Sequence, residues 1–404
     1  VLQKTNNYED LTIVLGNESC DLDSAVSALV YAMFLNWQYE RIKCKVCTRE
    51  KRVDHKDSIF VPVLDVKRED YTLKTEVAYC LKENNINEDH LVFSDDIDIK
   101  NLLTNKTNII LVDHHLVAKK YDFLVPYVSE IIDHRPRDKQ WYYKDDTRCT
   151  IENVGSCTTL VCQRIKDLSS LMNKDIEFFT TYPECCRLLY CTILLDTVNF
   201  SKDVNKGTAH DKEMVLFLET ILKPDDRENF RKSTVDKLVY ARSDVTKLTA
   251  EQLLKKDVKI VGDVLVPSFP IPVKEFLNKP GALLAVSEAL NIRGCAIALL
   301  LGMRLTPSLL RDVAVYSTNC TEKATKLANN LQECNNPTFG LIPERRSDGQ
   351  QLVLTYKLAI QRPTVQIIMP LNPVIRRVFL PATSTNTRLI TVITTFIAPI
   401  PVIR

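Results

Sequence analysis

The stretch LTIVLGNESCDLDS, residues 11–24, determines the fold that the sequence predicts. Residues 11–15 form a short apolar, β-branched run that ends at Gly16, which is typical of a buried strand. Small and apolar residues then recur at helical spacing from 23 to about 37, and Asp21, Asp23 and Ser24 stand where an N-cap is expected. The stretch therefore predicts a strand, a polar loop and a helix.

Similar segments follow along the first half of the chain. Apolar runs at 108–112 and 128–132 each end abruptly in a charged cluster. A later pair consists of a helix from 156 to about 165 and an apolar stretch at 187–195. Strands that alternate with helices predict an α/β fold with a mainly parallel, helix-covered sheet. Ligands bind such sheets beyond the carboxyl ends of the strands.

The character of the sequence changes after about residue 205, which predicts two domains. Residues 1–205 form the predicted catalytic domain, and charge-laced, helix-like sequence at 206–256 forms a helical connector. Residues 257–380 are interpreted as a smaller α/β domain, and the Thr-, Pro- and Ile-rich residues 381–404 as a poorly ordered tail. We expect the active site in the cleft between the two domains.

Four polar clusters follow the apolar runs, and three of the six histidines lie in two of them. The clusters are GNESCDLDS at 16–24, VDHH at 112–115, DHRP at 133–136 and LDTVN at 195–199. At adjacent strand ends their carboxylates would repel one another unless a cation neutralised them. Mixed oxygen and nitrogen ligands suit Mn²⁺, Mg²⁺, Co²⁺ or Zn²⁺, and a pair of such ions suits displacement at phosphorus.

Each cluster alone has a simpler interpretation. A single Asp after a strand is more often a turn or cap residue, and a single His is usually a structural group. The coincidence of four clusters, each at the end of an apolar run in one half of the chain, favours a metal site.

The composition limits the expected partners and location. The 404 residues include 53 basic and 51 acidic ones, so the net charge of +2 favours neither nucleic acid nor a membrane surface. No apolar run reaches the roughly 18 residues of a membrane-spanning helix, and the first residues show no signal-peptide pattern. The 13 cysteines are scattered through apolar segments, as expected of reduced thiols in the cytoplasm. Without a basic and aromatic stripe, nucleic acid is not an expected partner.

In order and spacing, the four clusters resemble the four motifs of the DHH phosphoesterases. The second domain resembles the DHHA2 domain that accompanies them, so the resemblance covers the chain up to about residue 380. Asn17 and the sequence DHRP look like the prune and exopolyphosphatase branch of the family. The type II inorganic pyrophosphatases have histidines where this chain has Asn17 and Arg135, which separates the chain from them.

The resemblance implies roles for individual residues. The implied metal ligands are Asp21, Asp23, Asp113, His134 and Asp196, with Asp113 bridging two ions. The implied catalytic residues are Asp113, His114, His115 and Arg135. The implied substrate contacts are Asn17, Arg135 and Lys259, of which the two cations would neutralise phosphate charge.

The resemblance further implies a divalent-metal-dependent hydrolase that cleaves phosphoanhydride bonds of short-chain polyphosphate with water activated by two ions. Manganese is the expected metal, with magnesium or cobalt as alternatives, and the substrate is inorganic polyphosphate or another small phosphoanion. Two alternatives stay open: a cyclic-nucleotide phosphodiesterase, and a weakly active prune-like protein that acts mainly through protein partners. The second is motivated by the loss of the family's adjacent basic pair at 361–370, where Arg362 stands alone, and by the unusual tail.

Overall fold

The computed structural model describes residues 8–43, 56–138, 143–304, 310–333, 341–347 and 352–358 of the chain. The chain divides into two compact units, residues 1–242 and 243–404. Each unit has its own sheet and its own hydrophobic core, and the α/β class is as the sequence predicts. The expected tail at 381–404 and the stretch at 361–370 lie outside the described residues.

The first unit is built on a five-stranded sheet in which every strand is parallel to its neighbours. The strands are β1 (Leu11–Leu15), β2 (Ile59–Val63), β3 (Thr107–Val112), β4 (Val128–Asp133) and β5 (Arg148–Ile151), in the order β2-β1-β3-β4-β5. The three central strands are the apolar runs of the sequence. The sequence does not predict the two edge strands, because Pro62 interrupts β2 and β5 has only four partly exposed residues. Both features are tolerated at an edge.

Helices cover this sheet and enclose the core of the first unit. Those described are α1 (Leu22–Ile42), α2 (Thr75–Glu83), α3 (Cys157–Leu171), α4 (Glu177–Thr181), α5 (Pro183–Thr197), α6 (Ala209–Leu222) and α7 (Arg227–Ser243). α1 begins after Asp21, whose carboxylate accepts the Ser24 backbone N–H at 3.1 Å, so the expected cap is present. α1 contacts α3 and α5, and its Phe34 and Trp37 pack against Phe178 of α4. One apolar core cluster of this unit therefore lies around α1, and a second cluster includes Leu11, Ile13 and Leu15 of β1.

Two segments of this unit differ from expectation. The apolar stretch at 187–195 lies inside α5, because a helix buried on most faces shows the same continuous apolar run as a buried strand. The expected connector at 206–256 is not a separate element, since Met214 and Leu218 of α6 and Leu238 of α7 belong to the same buried core as α1. The division between the two units instead falls at residue 242.

The second unit is a smaller α/β unit with a six-stranded mixed sheet. Its strands are β6 (Val258–Val261), β7 (Val264–Phe269), β8 (Ile297–Arg304), β9 (Leu310–Ser317), β10 (Leu341–Ser347) and β11 (Leu352–Leu358), in the order β10-β11-β9-β8-β7-β6. Only β7 and β8 pair in parallel. The described helices are α8 (Ala250–Lys256), α9 (Val273–Leu277), α10 (Ala282–Arg293) and α11 (Thr321–Glu333). Its core lies between α11 and the sheet.

Two further observations bear on the sequence-based expectations. In the part of the chain that the structure describes, no helix combines the length and the apolar character needed to cross a bilayer. The cysteines within the described residues are all free thiols, and most of them are buried. Buried thiols pack as small apolar side chains, as Cys157 and Cys162 do here, whereas Cys191 is half-buried.

Candidate metal centre

The carboxyl ends of β1, β3 and β4 lie side by side, because these strands are neighbours in the sheet. Asp23 stands in the first turn of α1, after the loop from β1, whereas Asp113 and His134 directly follow β3 and β4. The ligand atoms of these three side chains all lie within 4.8 Å of one another. The fold thus brings three of the five expected ligands together, and we call them the Asp–Asp–His cluster.

Asp113 occupies a strained and poorly satisfied position. Its backbone φ is +61°, in the left-handed region that Asp tolerates better than most residues. The side chain is 2% exposed. Oδ2 accepts a hydrogen bond from Asn17 Nδ2 at 2.6 Å, whereas Oδ1 is buried without a hydrogen-bond partner. Burial and the neighbouring charge of Asp23 raise the pKa of Asp113 to about 7, because both disfavour the ionised form.

Asp23 is similarly buried, but its carboxylate is fully engaged. Oδ1 accepts hydrogen bonds from Ser156 Oγ and from the Thr158 backbone N–H, both at 2.8 Å, and Oδ2 accepts the Cys157 N–H at 2.7 Å. These donors form the N-terminus of α3, where the helix dipole also favours a negative charge. Because the side chain of the N-cap residue Ser156 makes no capping bond, Asp23 caps α3 from another segment of the chain.

His134 faces both carboxylates. Its Nδ1 donates to the Val154 carbonyl oxygen at 3.0 Å, which directs Nε2 at the cluster. Nε2 lies 3.3 Å from Asp113 Oδ1 and 3.8 Å from Asp23 Oδ2. Burial lowers the pKa of His134, but the Asp113 carboxylate 3.3 Å away and the charge of Asp23 outweigh it and raise the pKa to about 9. Nε2 therefore needs a proton or a metal cation between itself and the carboxylates.

The other two expected ligands flank the cluster. Asp21 is the partly exposed N-cap of α1, and Asp196 stands in the last turn of α5. Asp196 Oδ2 is buried without a hydrogen-bond partner, and Lys206 Nζ lies 4.0 Å from Oδ1. Burial and the charge of Asp23 raise the pKa of Asp196, against the opposing charge of Lys206. The negative charge of Asp23 therefore acts on Asp196. Asp196 lies in a helix and not at the end of a strand.

The two histidines of the VDHH sequence have different environments. His114 bonds the Val112 carbonyl oxygen through Nδ1 at 2.9 Å, and burial lowers the pKa of His114, which favours a neutral imidazole. His115 bonds Asp133 through Nδ1, and its Nε2 accepts the Asp138 backbone N–H at 3.0 Å. Both ring nitrogens of His115 are therefore engaged with residues 133–138, so His115 positions that loop and offers no nitrogen to a metal ion or a phosphate.

The expected substrate contacts also differ from one another. The Asn17 amide donates to Asp113, and its Oδ1 accepts hydrogen bonds from Ser19, so this side chain orients Asp113 instead of facing a substrate. The Arg135 guanidinium is half exposed and lies 3.7 Å from Asp113 Oδ1, where it is accessible to a phosphate. Lys259 lies on β6 of the second unit, and its side chain is exposed.

Some residues of the centre are absent from the sequence-based set. They are the donors at 156–158, the Val154 carbonyl and Lys206. The sequence does contain a signal for the donors, because Ser156 is the first residue of a predicted helix, where a Ser is a common N-cap. It contains no signal that the helix end would receive the carboxylate of Asp23, since the two are more than 130 residues apart.

No family model matches the chain, but curated relatives do. Exopolyphosphatase PRUNE1 of Rattus norvegicus is 33% identical over 344 residues, which cover 82% of this chain and 68% of that protein. The chain belongs to the PRUNE1 exopolyphosphatase family. The Bos taurus member is 30% identical over 339 residues, 82% of this chain and 68% of that protein. The Homo sapiens member is 34% identical over 253 residues, 62% of this chain and 49% of that protein.

The alignments thus span between about half and about two thirds of these PRUNE1 proteins. A solved structure from Methanococcus jannaschii, provisionally assigned as a family II inorganic pyrophosphatase, superimposes with a TM-score of 0.44 at 19% identity. That superposition covers 89% of this chain and 97% of the other.

The side chains of this PRUNE1-family member fit a divalent cation. Asp113 Oδ1 and Asp196 Oδ2 are buried carboxylate oxygens without hydrogen-bond partners, and His134 Nε2 adds a nitrogen donor. Leaving such oxygens unpartnered costs free energy, which a bound cation would offset. Carboxylate oxygens with one imidazole suit Mn²⁺, Mg²⁺, Co²⁺ or Zn²⁺, and none of the three groups is a thiolate that would select a softer metal.

Proposed function

We propose that this chain hydrolyses the phosphoanhydride bonds of short-chain polyphosphate and needs two divalent ions, Mn²⁺ in the first place, to do so. The observation that carries the proposal is the Asp–Asp–His cluster, a buried group of two carboxylates and an imidazole in which Asp113 Oδ1 makes no hydrogen bond. Family membership supports it, because the PRUNE1 relatives are named exopolyphosphatases.

Asp23, Asp113 and His134 would hold the ions, together with Asp21 and Asp196. When bound, such ions supply Lewis acidity toward phosphate oxygens and activate a water molecule for attack. Asn17 fixes the Asp113 carboxylate through its 2.6 Å hydrogen bond, and the N-terminus of α3 fixes that of Asp23.

Arg135 is the residue best placed to bind the substrate. Its guanidinium is half exposed beside Asp113 and can donate two parallel hydrogen bonds to phosphate oxygens. Lys206, with its side chain 44% exposed beside Asp196, adds a second positive charge at the cluster. These two cations would neutralise charge that the acidic cluster otherwise repels.

The proposed reaction is an in-line displacement at the terminal phosphorus. The oxygen of water forms the new P–O bond and loses a proton to solvent, the bond from that phosphorus to the bridging oxygen breaks, and the shortened chain leaves with that oxygen while the attacked phosphorus becomes orthophosphate. The other product is a polyphosphate one unit shorter. We favour short polyphosphate over pyrophosphate because Asn17 replaces a metal-binding imidazole with an amide that is already engaged with Asp113.

The test is product release from tripolyphosphate, pyrophosphate and cyclic AMP by the full chain, with Mn²⁺, Mg²⁺ or a chelator. We expect Mn²⁺-dependent orthophosphate release from tripolyphosphate, faster than from pyrophosphate, and none in chelator. AMP formation from cyclic AMP without orthophosphate release would instead identify a phosphodiesterase. If folded protein that binds Mn²⁺ turns over none of the three substrates, the hydrolase proposal is wrong and the partner-binding alternative takes its place.

A further inference from the structure

A further buried carboxylate, Asp211, lies next to the N-terminus of α3 but outside the Asp–Asp–His cluster. It stands in the first turn of α6 and is fully buried. Its Oδ2 accepts the Thr208 backbone N–H at 2.7 Å, and its own N–H donates to Thr208 Oγ1, so that the two residues form the capping box of α6. Oδ2 also accepts the Thr208 hydroxyl at 2.7 Å. Capping α6 requires only these bonds with Thr208, yet Asp211 makes two more.

The additional bonds connect Asp211 to α3. Oδ2 accepts the Gly155 backbone N–H at 2.8 Å, and Oδ1 accepts the Thr159 hydroxyl at 2.6 Å. A side chain at Gly155 would place its Cβ 2.9 Å from Asp211 Oδ2 and 2.6 Å from Thr197, the residue after Asp196. Only glycine therefore allows this close approach, which brings Asp211 against the backbone at the start of α3.

Two carboxylates thus bracket five consecutive residues at the start of α3. Asp211 binds the outer pair, Gly155 and Thr159, while Asp23 accepts hydrogen bonds from residues 156–158 between them. Asp211 therefore holds in place the turn that carries the hydrogen-bond donors of Asp23. A shift of this turn would rotate the Asp23 carboxylate relative to Asp113 and His134.

We propose that Asp211 is a positioning residue of the metal centre, which acts through the first turn of α3 on the Asp23 carboxylate. The inference rests on the proposed metal centre but not on the identity of the substrate. Residues that orient a metal ligand through hydrogen bonds typically contribute about 10–100-fold to metal affinity.

The decisive variant is Asp211→Asn. An amide accepts at one end only, so in either orientation its NH₂ group replaces one acceptor and faces either the N–H donors of Gly155 and Thr208 or the Thr159 hydroxyl. We expect the dissociation constant of Mn²⁺, measured by calorimetry or electron paramagnetic resonance on chelator-treated full chain, to rise about 10–100-fold. This readout is independent of turnover.

The matched control is Glu219→Gln on the same helix. Glu219 is also buried, and its carboxylate pairs with Arg231 and accepts from Tyr190, away from the cluster. This variant should lose thermal stability in chelator as Asp211→Asn does, while its Mn²⁺ dissociation constant stays at the wild-type value. Equal Mn²⁺ affinity of Asp211→Asn and Glu219→Gln would reduce Asp211 to a structural role and overturn the proposal.

A second pair of variants keeps the proposal testable if Asp211→Asn does not fold. Thr159→Val removes the hydroxyl that Asp211 binds, whereas Thr159→Ser keeps it. We expect weaker Mn²⁺ binding for the first and wild-type binding for the second, and equal affinities would contradict the inference. Wild-type protein that binds no Mn²⁺ would overturn both this inference and the proposed metal centre. Wild-type binding of Mn²⁺ without any turnover would overturn the hydrolase alone.

Discussion

Asp23 and Asp113 are buried to a similar extent in one cluster, yet their surroundings are opposite. Asp23 lies at the N-terminus of α3 and accepts three hydrogen bonds from consecutive residues. Asp113 lies at the end of β3 with a positive φ, one oxygen without a hydrogen-bond partner and a pKa raised to about 7. Three hydrogen bonds stabilise the first carboxylate as an anion. The second accepts one hydrogen bond, from Asn17, and its other oxygen has only the nearby charges of His134 and Arg135.

Because of this difference, the two carboxylates would contribute differently to the proposed metal centre, one to its geometry and the other to its affinity for the cation. A carboxylate with fixed donors on both oxygens has one orientation and keeps it whether or not a cation is bound. A carboxylate with an unpartnered oxygen raises the free energy of the metal-free protein, so a cation that binds there recovers that free energy. In the proposed metal centre, Asp23 would define the geometry of the site and Asp113 would supply much of the affinity for the cation.

Asp113→Asn tests this division with the largest expected effect. The substitution should lower Mn²⁺-dependent turnover of tripolyphosphate by about 10²–10³-fold, because it removes charge where the reaction needs it. Asn tolerates the positive φ, and its amide can donate to a neutral His134 Nε2, so the fold should persist. Orthophosphate release measures the first effect, and thermal unfolding in chelator at pH 8 should show an unchanged or higher midpoint.

A lower midpoint for Asp113→Asn would contradict the assignment of Asp113 as an unsatisfied carboxylate. The buried residue Glu130 provides the contrast. It accepts hydrogen bonds from Tyr31, Arg148 and Arg164, so Glu130→Gln should lower the midpoint without altering metal dependence.

Asp23→Asn should act on stability in the opposite direction. Its amide group would face the N–H donors of α3, and at least one buried donor would lose its acceptor. We expect the free energy of unfolding in chelator to fall by about 1–3 kcal/mol, measured by urea denaturation. A stability equal to that of Asp113→Asn would remove the contrast between the two carboxylates.

The pH dependence of metal binding sharpens the comparison further. The pKa values of Asp113 and His134 are raised to about 7 and about 9, so metal-free protein carries protons there that a bound cation must displace. The apparent affinity for Mg²⁺ should therefore rise between pH 6 and pH 9, up to about tenfold per pH unit for each proton displaced. Calorimetry in buffers of different ionisation enthalpy measures that proton release.

The same shifts determine the stability of the metal-free protein, with the opposite trend. Both groups have folded-state pKa values above their ordinary ones, so their stabilising contribution is fully present at low pH. It is lost as pH rises through about 7 for Asp113 and about 9 for His134. Metal affinity that does not change across this range would show that neither group releases a proton on binding.

Asn17→Ala should have the smallest effect. The substitution removes the hydrogen bond that orients Asp113 Oδ2, and we expect the free energy of unfolding to fall by about 1 kcal/mol. Asn101→Ala is the control, because its exposed side chain bonds only Asp98 and its loss should change stability by less than about 0.5 kcal/mol. If Asn17→Ala resembles the control, the amide does not hold Asp113.

Much of the site could be predicted because its signals are local. The apolar, β-branched runs at 11–15, 108–112 and 128–132 determine three strands, and hydrophobic burial places them in the middle of the sheet. Parallel neighbours end at one edge, so the polar residues that follow those runs must meet there. The sequence by itself therefore determined that Asp23, Asp113 and His134 come together.

Only the tertiary structure decided what each of these groups does. Packing between separate segments of the chain decides three features of the site. The N-terminus of α3 binds the carboxylate of Asp23, Asp196 lies in the helix α5, and both ring nitrogens of His115 are engaged. The physical reason is that periodicity and capping act within a few residues. Hydrogen-bond satisfaction and pKa depend instead on neighbours that the fold brings together from about 20 to more than 100 residues away along the chain, as for His134 and Val154 or Asp23 and Cys157.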